Sequence, residues 1–147
     1  MTRSTEGFTL VELVVMMVII GILAVVALPR MDTGTYKALE FHDNTVSALR
    51  FAQKTATSHR RMVCVAFTAS TVTLTIDHDK SGTCGGQTLN IAGGSSNVVQ
   101  SRDPATVVFS PVPTDFNFLS DGTGSDRSIF IAGQPVITVV GTTGSVY

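Results

Sequence analysis

Hydrophobic positions along this chain change their period twice. From residue 8 to residue 28 every position is apolar or small except Thr9 and Glu12. At about 1.5 Å per residue, a helix of that length reaches about 30 Å, the thickness of a bilayer core, so the run predicts a transmembrane helix. Pro29 ends the run and Gly21 lies inside it. Both residue types weaken a helix, and proline removes a backbone hydrogen bond, so a kink or partial unwinding is expected between Gly21 and Pro29. A polar break, Asp32-Thr33-Gly34-Thr35, follows. Then Leu39, His42, Val46, Leu49, Ala52 and Ala56 recur at spacings of three and four, and Phe41, Ala48 and Phe51 widen the stripe. This period predicts an amphipathic helix over about residues 36–60, one side on a sheet and the other wet, fading over residues 58–61.

The remainder reads as β. Residues 62–67 and 71–76 are strand-like, joined by a turn around Ala69-Ser70. Val72, Leu74 and Ile76 alternate with threonines, so one face is buried. Further strands are expected at residues 88–91, 98–100, 106–110, 116–119, 128–132 and 136–140. Pro111 and Pro113 punctuate the middle. A glycine-rich loop at 120–125 precedes a last hairpin turning through Gly133-Gln134-Pro135, and residues 141–147 close as a short strand or a tail. The predicted class is α+β, a long N-terminal helix packed on an antiparallel sheet.

The 147 residues bound the chain to one modest domain plus the anchor. The net charge of −1 supplies no global field that would draw a polyanion. Serine, histidine and aspartate are present without a nucleophile elbow or triad spacing, and His42, His59 and His78 stand in unrelated contexts. No enzyme and no cofactor is expected.

Glu12 is the anomaly in the apolar run. A carboxylate inside a membrane helix costs roughly 2.5–3.5 kcal/mol on insertion scales and marks a functional position. Gly7-Phe8-Thr9-Leu10-Val11-Glu12, with the run behind it and Pro29 at its end, resembles the class III signal of type IV prepilins and pseudopilins. The resemblance implies that residues 1–7 are a leader, that a prepilin peptidase cuts between Gly7 and Phe8, and that Phe8 is then N-methylated. It implies that Glu12 pairs in lipid with the N-terminal amine of a neighbouring subunit, and that Pro29 kinks the helix. Amine and carboxylate each lack a partner in lipid until they meet. Two other readings stay open. A plain anchor explains the run but not the glutamate. A secretory signal would use Arg3, an apolar core at 13–24 and a cut after Val25-Val26-Ala27, with Glu12 at the start of its core and Pro29 close after the cut. The leader departs from the pattern in having one basic residue, Arg3, and in placing Glu6 directly before Gly7.

A spine helix followed only by strands is also the pilin plan. Residues 39–65, with Ser47-Ala48-Leu49-Arg50-Phe51-Ala52-Gln53-Lys54 and then Val63-Cys64-Val65, resemble the minor pseudopilin and minor pilin branch of type II secretion and type IV pili. The Ala27-Leu28-Pro29-Arg30 junction is similar to that of mannose-sensitive hemagglutinin pilus proteins. These likenesses imply residues 8–29 as a membrane and assembly helix and residues 30–147 as a domain outside the bacterial inner membrane. The protein would be a minor subunit that primes or tips a filament, or serves secretion, with other pilins or pseudopilins, the peptidase and the membrane as partners. The alternative function is a filament-borne receptor for DNA or a surface ligand.

Three constellations remain. Cys64 and Cys84 are the only cysteines. Outside the cytoplasm a disulfide is permitted, closing a loop of about twenty residues and adding roughly 3 kcal/mol on the chain-entropy model; unpaired buried thiols and metal binding are the alternatives. Asp77, Asp79 and Ser81, with Gly82 behind them, match the first half of a calcium loop, but Thr88 stands where the closing glutamate belongs. The bland reading is a polar turn. Residues 121–126 form a second acidic loop, and major pseudopilins hold calcium in a C-terminal loop. Arg50, Lys54, His59, Arg60 and Arg61 form a basic cluster. DNA-binding members of the branch use arginines close to the C-terminus, and no arginine follows Arg127 here, so nucleic acid is not expected. A solvated helix end, its cations facing the negative end of the dipole, accounts for the cluster.

Overall fold

The computed structural model describes residues 7–27, 33–85, 87–92 and 94–147. They fall into two units, Met1–Thr33 and Gly34–Tyr147. The first contributes α1, Leu10–Ala27, apolar throughout except for Glu12. Its described side chains, residues 10–24, are all exposed. Among the described residues no helix is long and apolar enough to cross a membrane. The 18 residues of α1 come to about 27 Å at about 1.5 Å each, short of a hydrocarbon core of about 30 Å. The helix runs unbroken through Gly21, while Pro29 and the leader residues before Gly7 lie outside the described residues.

The second unit carries α2, Thr33–His59, from Gly34 onward. The stretch expected as a polar break therefore supplies the first helical turn from Thr33 onward. Ala38, Phe41, Val46, Ala48, Leu49, Ala52 and Ala56 are buried. The true stripe runs through Ala38 and Phe41 rather than Leu39 and His42. Leu39 is 44% exposed, and His42 is half-buried with its Nδ1 3.0 Å from Asp43. Thr45 is fully buried because its hydroxyl donates to the Phe41 carbonyl at 2.7 Å, leaving no orphan polar group.

Among the described residues eight strands follow. β1 (Val63–Phe67) and β2 (Thr71–Ile76) form a hairpin with Val65 opposite Leu74. β5 (Phe116–Phe118) pairs antiparallel with the other edge of β1, Cys64 facing Asn117. The free edge of β2 is divided between β3 (Gln87–Thr88) and β4 (Val98–Gln100). A second sheet has the order β6 (Arg127–Ile129), β7 (Ile137–Val140), β8 (Ser145–Val146). All pairings are antiparallel, so the fold is α+β. Two expected strands shrink. Residues 106–110 yield one bridge, Phe109 to Ile131, because the amides of Thr106 and Val107 turn back to the Asp103 carbonyl. Residues 88–91 stop pairing at Thr88, and Ile91 enters a turn closed by the Gly94 amide.

One core joins the helix to both sheets: Phe41 and Leu49 from α2, Val63 and Val65 from β1, Leu74 from β2, Phe118 from β5, and Ile129, Ile137 and Val139 from the second sheet. Phenylalanines thread it. Phe109 lies 5.0 Å from Phe41 and 5.5 Å from Phe67, Phe67 lies 6.0 Å from Phe116, and Phe116 lies 5.2 Å from Phe118. Ion pairs fasten the first half of α2 to the loop before Phe109: Lys37 to Asp103 at 3.2 Å and Glu40 to Arg102 at 3.0 Å. Farther along, the Arg50 Nε and Nη2 both donate to the Val146 carbonyl, at 3.1 and 3.0 Å, clamping β8.

Candidate functional site

Thr9 caps α1. Its hydroxyl accepts from the Glu12 amide at 3.3 Å, and its carbonyl accepts from the Leu13 amide at 3.2 Å. A threonine N-cap with glutamate three residues later is the capping-box pattern. That T-x-x-E signal is present in Thr9-Leu10-Val11-Glu12, and reading Glu12 only as an anomalous charge misses it. A carboxylate in the first turn also favours the positive end of the helix dipole. Among the described residues the Glu12 carboxylate forms no ion pair.

Phe8 is 75% exposed. A Cβ added at Gly7 would meet no atom within 4 Å, and no left-handed backbone demands glycine there. Among the described residues nothing in the fold requires that glycine. Gly144 makes the contrast. Its φ is +67°, and a Cβ there would collide with the Gly122 carbonyl.

In the globular unit Cys64 of β1 is bonded to Cys84, with the Cα atoms 6.0 Å apart. The bridge holds the loop after β2 against the sheet, with the Cys84 Sγ 3.9 Å from the Thr75 carbonyl oxygen. The calcium candidates instead build a turn. Buried Asp77 accepts from the amides of Ser81 (3.1 Å) and Gly82 (2.9 Å) and from the Ser81 hydroxyl (3.3 Å), and Asp79 accepts from the Ser81 amide at 3.4 Å. Hydrogen bonding with the Asp77 carboxyl, then with Ser81, holds Asp79 below the usual carboxylate range. In the second acidic loop Asp121 accepts from the Thr123 hydroxyl (2.7 Å) and amide (2.9 Å), which lower its pKa in that order. Asp126 accepts from the Gly141 amide at 2.6 Å. Among the described residues no group of three or more histidine, cysteine, aspartate or glutamate side chains is placed to hold a metal ion.

The basic cluster divides. Arg50 belongs to the β8 clamp, while Arg60 and Arg61 stand at the end of α2 beside the Asp77 turn. There the Arg60 amide donates to Thr57 and the Arg61 amide to Ala56, the double bond pattern of a Schellman cap.

Residues 2–28 match the family model described as the prokaryotic N-terminal methylation motif. Neither the curated proteins nor the solved structures contain a match. The match covers the class III signal, a motif of type IV pilin-like proteins, and ends at residue 28.

Proposed function

We propose that this chain is a minor pilin or pseudopilin, a subunit of a type IV pilus or a type II secretion filament that takes part in priming, tip assembly or secretion. The observation that carries the reading is Glu12. It lies within the matched methylation motif, in the first turn of a helix whose described side chains are all exposed. An exposed apolar surface of that extent calls for a lipid or protein environment.

In this reading residues 1–7 leave as the leader, and Phe8 becomes the N-methylated first residue. Residues 8–29 form the single membrane and assembly helix of an inner-membrane protein, ended by Pro29. Residues 30–147 form the extracytoplasmic domain, where the Cys64–Cys84 bond is stable. The apolar run continues in sequence to Leu28, and a short span is accommodated by local thinning of the bilayer. The Glu12 carboxylate meets the N-terminal ammonium of a neighbouring subunit, where lipid leaves neither ion another partner.

Intact-mass measurement of the chain recovered from membranes tests this. The expected product starts at N-methylated Phe8. An uncut Met1, or a start at Leu28, would overturn the reading.

A further inference from the structure

A groove of about 260 Å³ lies between the end of α2 and the loop that follows β2, lined by the cations Arg60, Arg61 and Lys80, by Met62 and Leu119, and by Asp77, among others. Its two walls are tied together. The Asp77 amide donates to the Met62 carbonyl at 2.9 Å, Arg61 Nη1 lies 3.5 Å from the Asp77 carbonyl oxygen, and the Cys64–Cys84 bond secures the loop farther on. The groove therefore exists before anything enters it, which lowers the ordering cost of binding.

Its cations are placed at a cost. Among the described residues left-handed backbone occurs at Gly82, Gly122, Gly133 and Gly144, where glycine carries it freely, and at two other positions, Arg60 (φ 51°) and Lys80 (φ 58°). Both exceptions are cations, and both line this groove. At Arg60 the conformation is the C′ position of the Schellman cap, for which glycine is the usual residue. The dipole of α2 accounts for cations in its own last turn, but not for Lys80, which comes from a different element. Nor are these charges spent on ion pairs. Among the described residues Arg60, Arg61 and Lys80 form none, and the Asp77 carboxylate is turned into its own loop.

We propose that this groove binds a carboxylate side chain from an acidic segment of a partner protein. The charge calls for an anion. The size and the apolar flank of Met62 and Leu119 favour a glutamate or aspartate with an apolar neighbour over a nucleic-acid backbone, which needs a row of cations along its phosphates. This inference does not depend on the filament reading.

The test uses the full chain in detergent micelles. The probes are a capped peptide of alternating glutamate and leucine, the same peptide with glutamine for glutamate, inorganic phosphate and a single-stranded oligodeoxynucleotide. The glutamate peptide should shift the amide resonances of Arg60, Arg61, Met62 and Lys80, more weakly as salt rises, and the glutamine peptide should not. Arg60→Gly and Lys80→Gly should each raise the melting temperature, since glycine takes the left-handed backbone without strain. Together they should weaken peptide binding by about tenfold, the scale of two partly exposed ionic contacts. Failure of the glutamate peptide to bind, tighter binding of phosphate or the oligonucleotide, undiminished binding by the doubly substituted chain, or no gain in its stability would each overturn the proposal.

Discussion

The Glu12 amide donates to the Thr9 hydroxyl at 3.3 Å, so the residue proposed to pair with a neighbouring subunit is held in the first turn of α1 through its backbone, not its carboxylate. The two roles use different atoms. The cap needs the Thr9 oxygen and the Glu12 N–H, whereas assembly needs the Glu12 side chain. A substitution that removes the carboxylate therefore leaves the cap in place.

Gly7 and Gly144 should respond oppositely to alanine. At Gly7 a methyl group meets nothing, so Gly7→Ala should leave the melting temperature unchanged while slowing or blocking the cut before Phe8. At Gly144 the methyl group meets the Gly122 carbonyl on a left-handed backbone. Gly144→Ala should destabilise the domain by about 2 kcal/mol or more, combining overpacking with backbone strain. Thermal denaturation and intact mass of the two variants separate the effects; a destabilised Gly7→Ala chain would show that this glycine serves the fold.

The Cys64–Cys84 bond should link the two residues in protein made outside the cytoplasm, visible as one crosslinked peptide pair under non-reducing mass spectrometry. Replacing both by alanine should cost roughly 3 kcal/mol for a bridge closing a loop of about twenty residues. Alkylation of both thiols without prior reduction would contradict the bond.

Acid should loosen the contact between α2 and the loop carrying Asp103. The hydrogen bond from Lys37 is the chief cause holding the Asp103 carboxyl below its ordinary value. A depressed folded-state pKa means that the unfolded chain binds the proton more readily. The contribution is then fully present above the unfolded value of about 3.9 and is lost as pH falls through the lower folded value. Asp103→Asn should lower stability at neutral pH and flatten this part of the acid limb. Equal acid limbs for the variant and the parent chain would show that the pair contributes nothing.

The elements with strong periodicity were legible without coordinates. Alternation in Val72, Leu74 and Ile76 placed β2 at its observed bounds, and the helical spacing of Leu49, Ala52 and Ala56 found the buried face of α2. Its first turns were misphased because Leu39 is larger than Ala38 and weighs more in a pattern, although Ala38 is the residue the core accepts. Residues 106–110 looked like a strand because Val107 and Phe109 alternate inward. Apolar alternation says nothing about amides, and these turn back to Asp103. Arg50 sits within a basic sequence, yet its guanidinium is spent on a carbonyl 96 residues away. The groove could not be read in advance, since the left-handed backbone at Arg60 and Lys80 comes from the loop closures around them, not from any preference of arginine or lysine.

The central claim, that the chain is a filament subunit through the Glu12 carboxylate, is tested most directly by Glu12→Leu in cells carrying the other filament proteins. A membrane tether needs apolar length alone, and leucine makes insertion more favourable. The backbone cap to Thr9 survives the change, and Glu12→Gln, which keeps the side-chain length and loses the charge, separates loss of pairing from fraying of the helix end. The measurement is the amount of chain that co-purifies or crosslinks with the other subunits. The account predicts normal cleavage before Phe8 and normal membrane insertion with sharply reduced co-purification, and an intermediate level for Glu12→Asp, which keeps the charge but shortens its reach. Assembly of Glu12→Leu at the parent level would contradict the pairing and with it the proposed role of this residue.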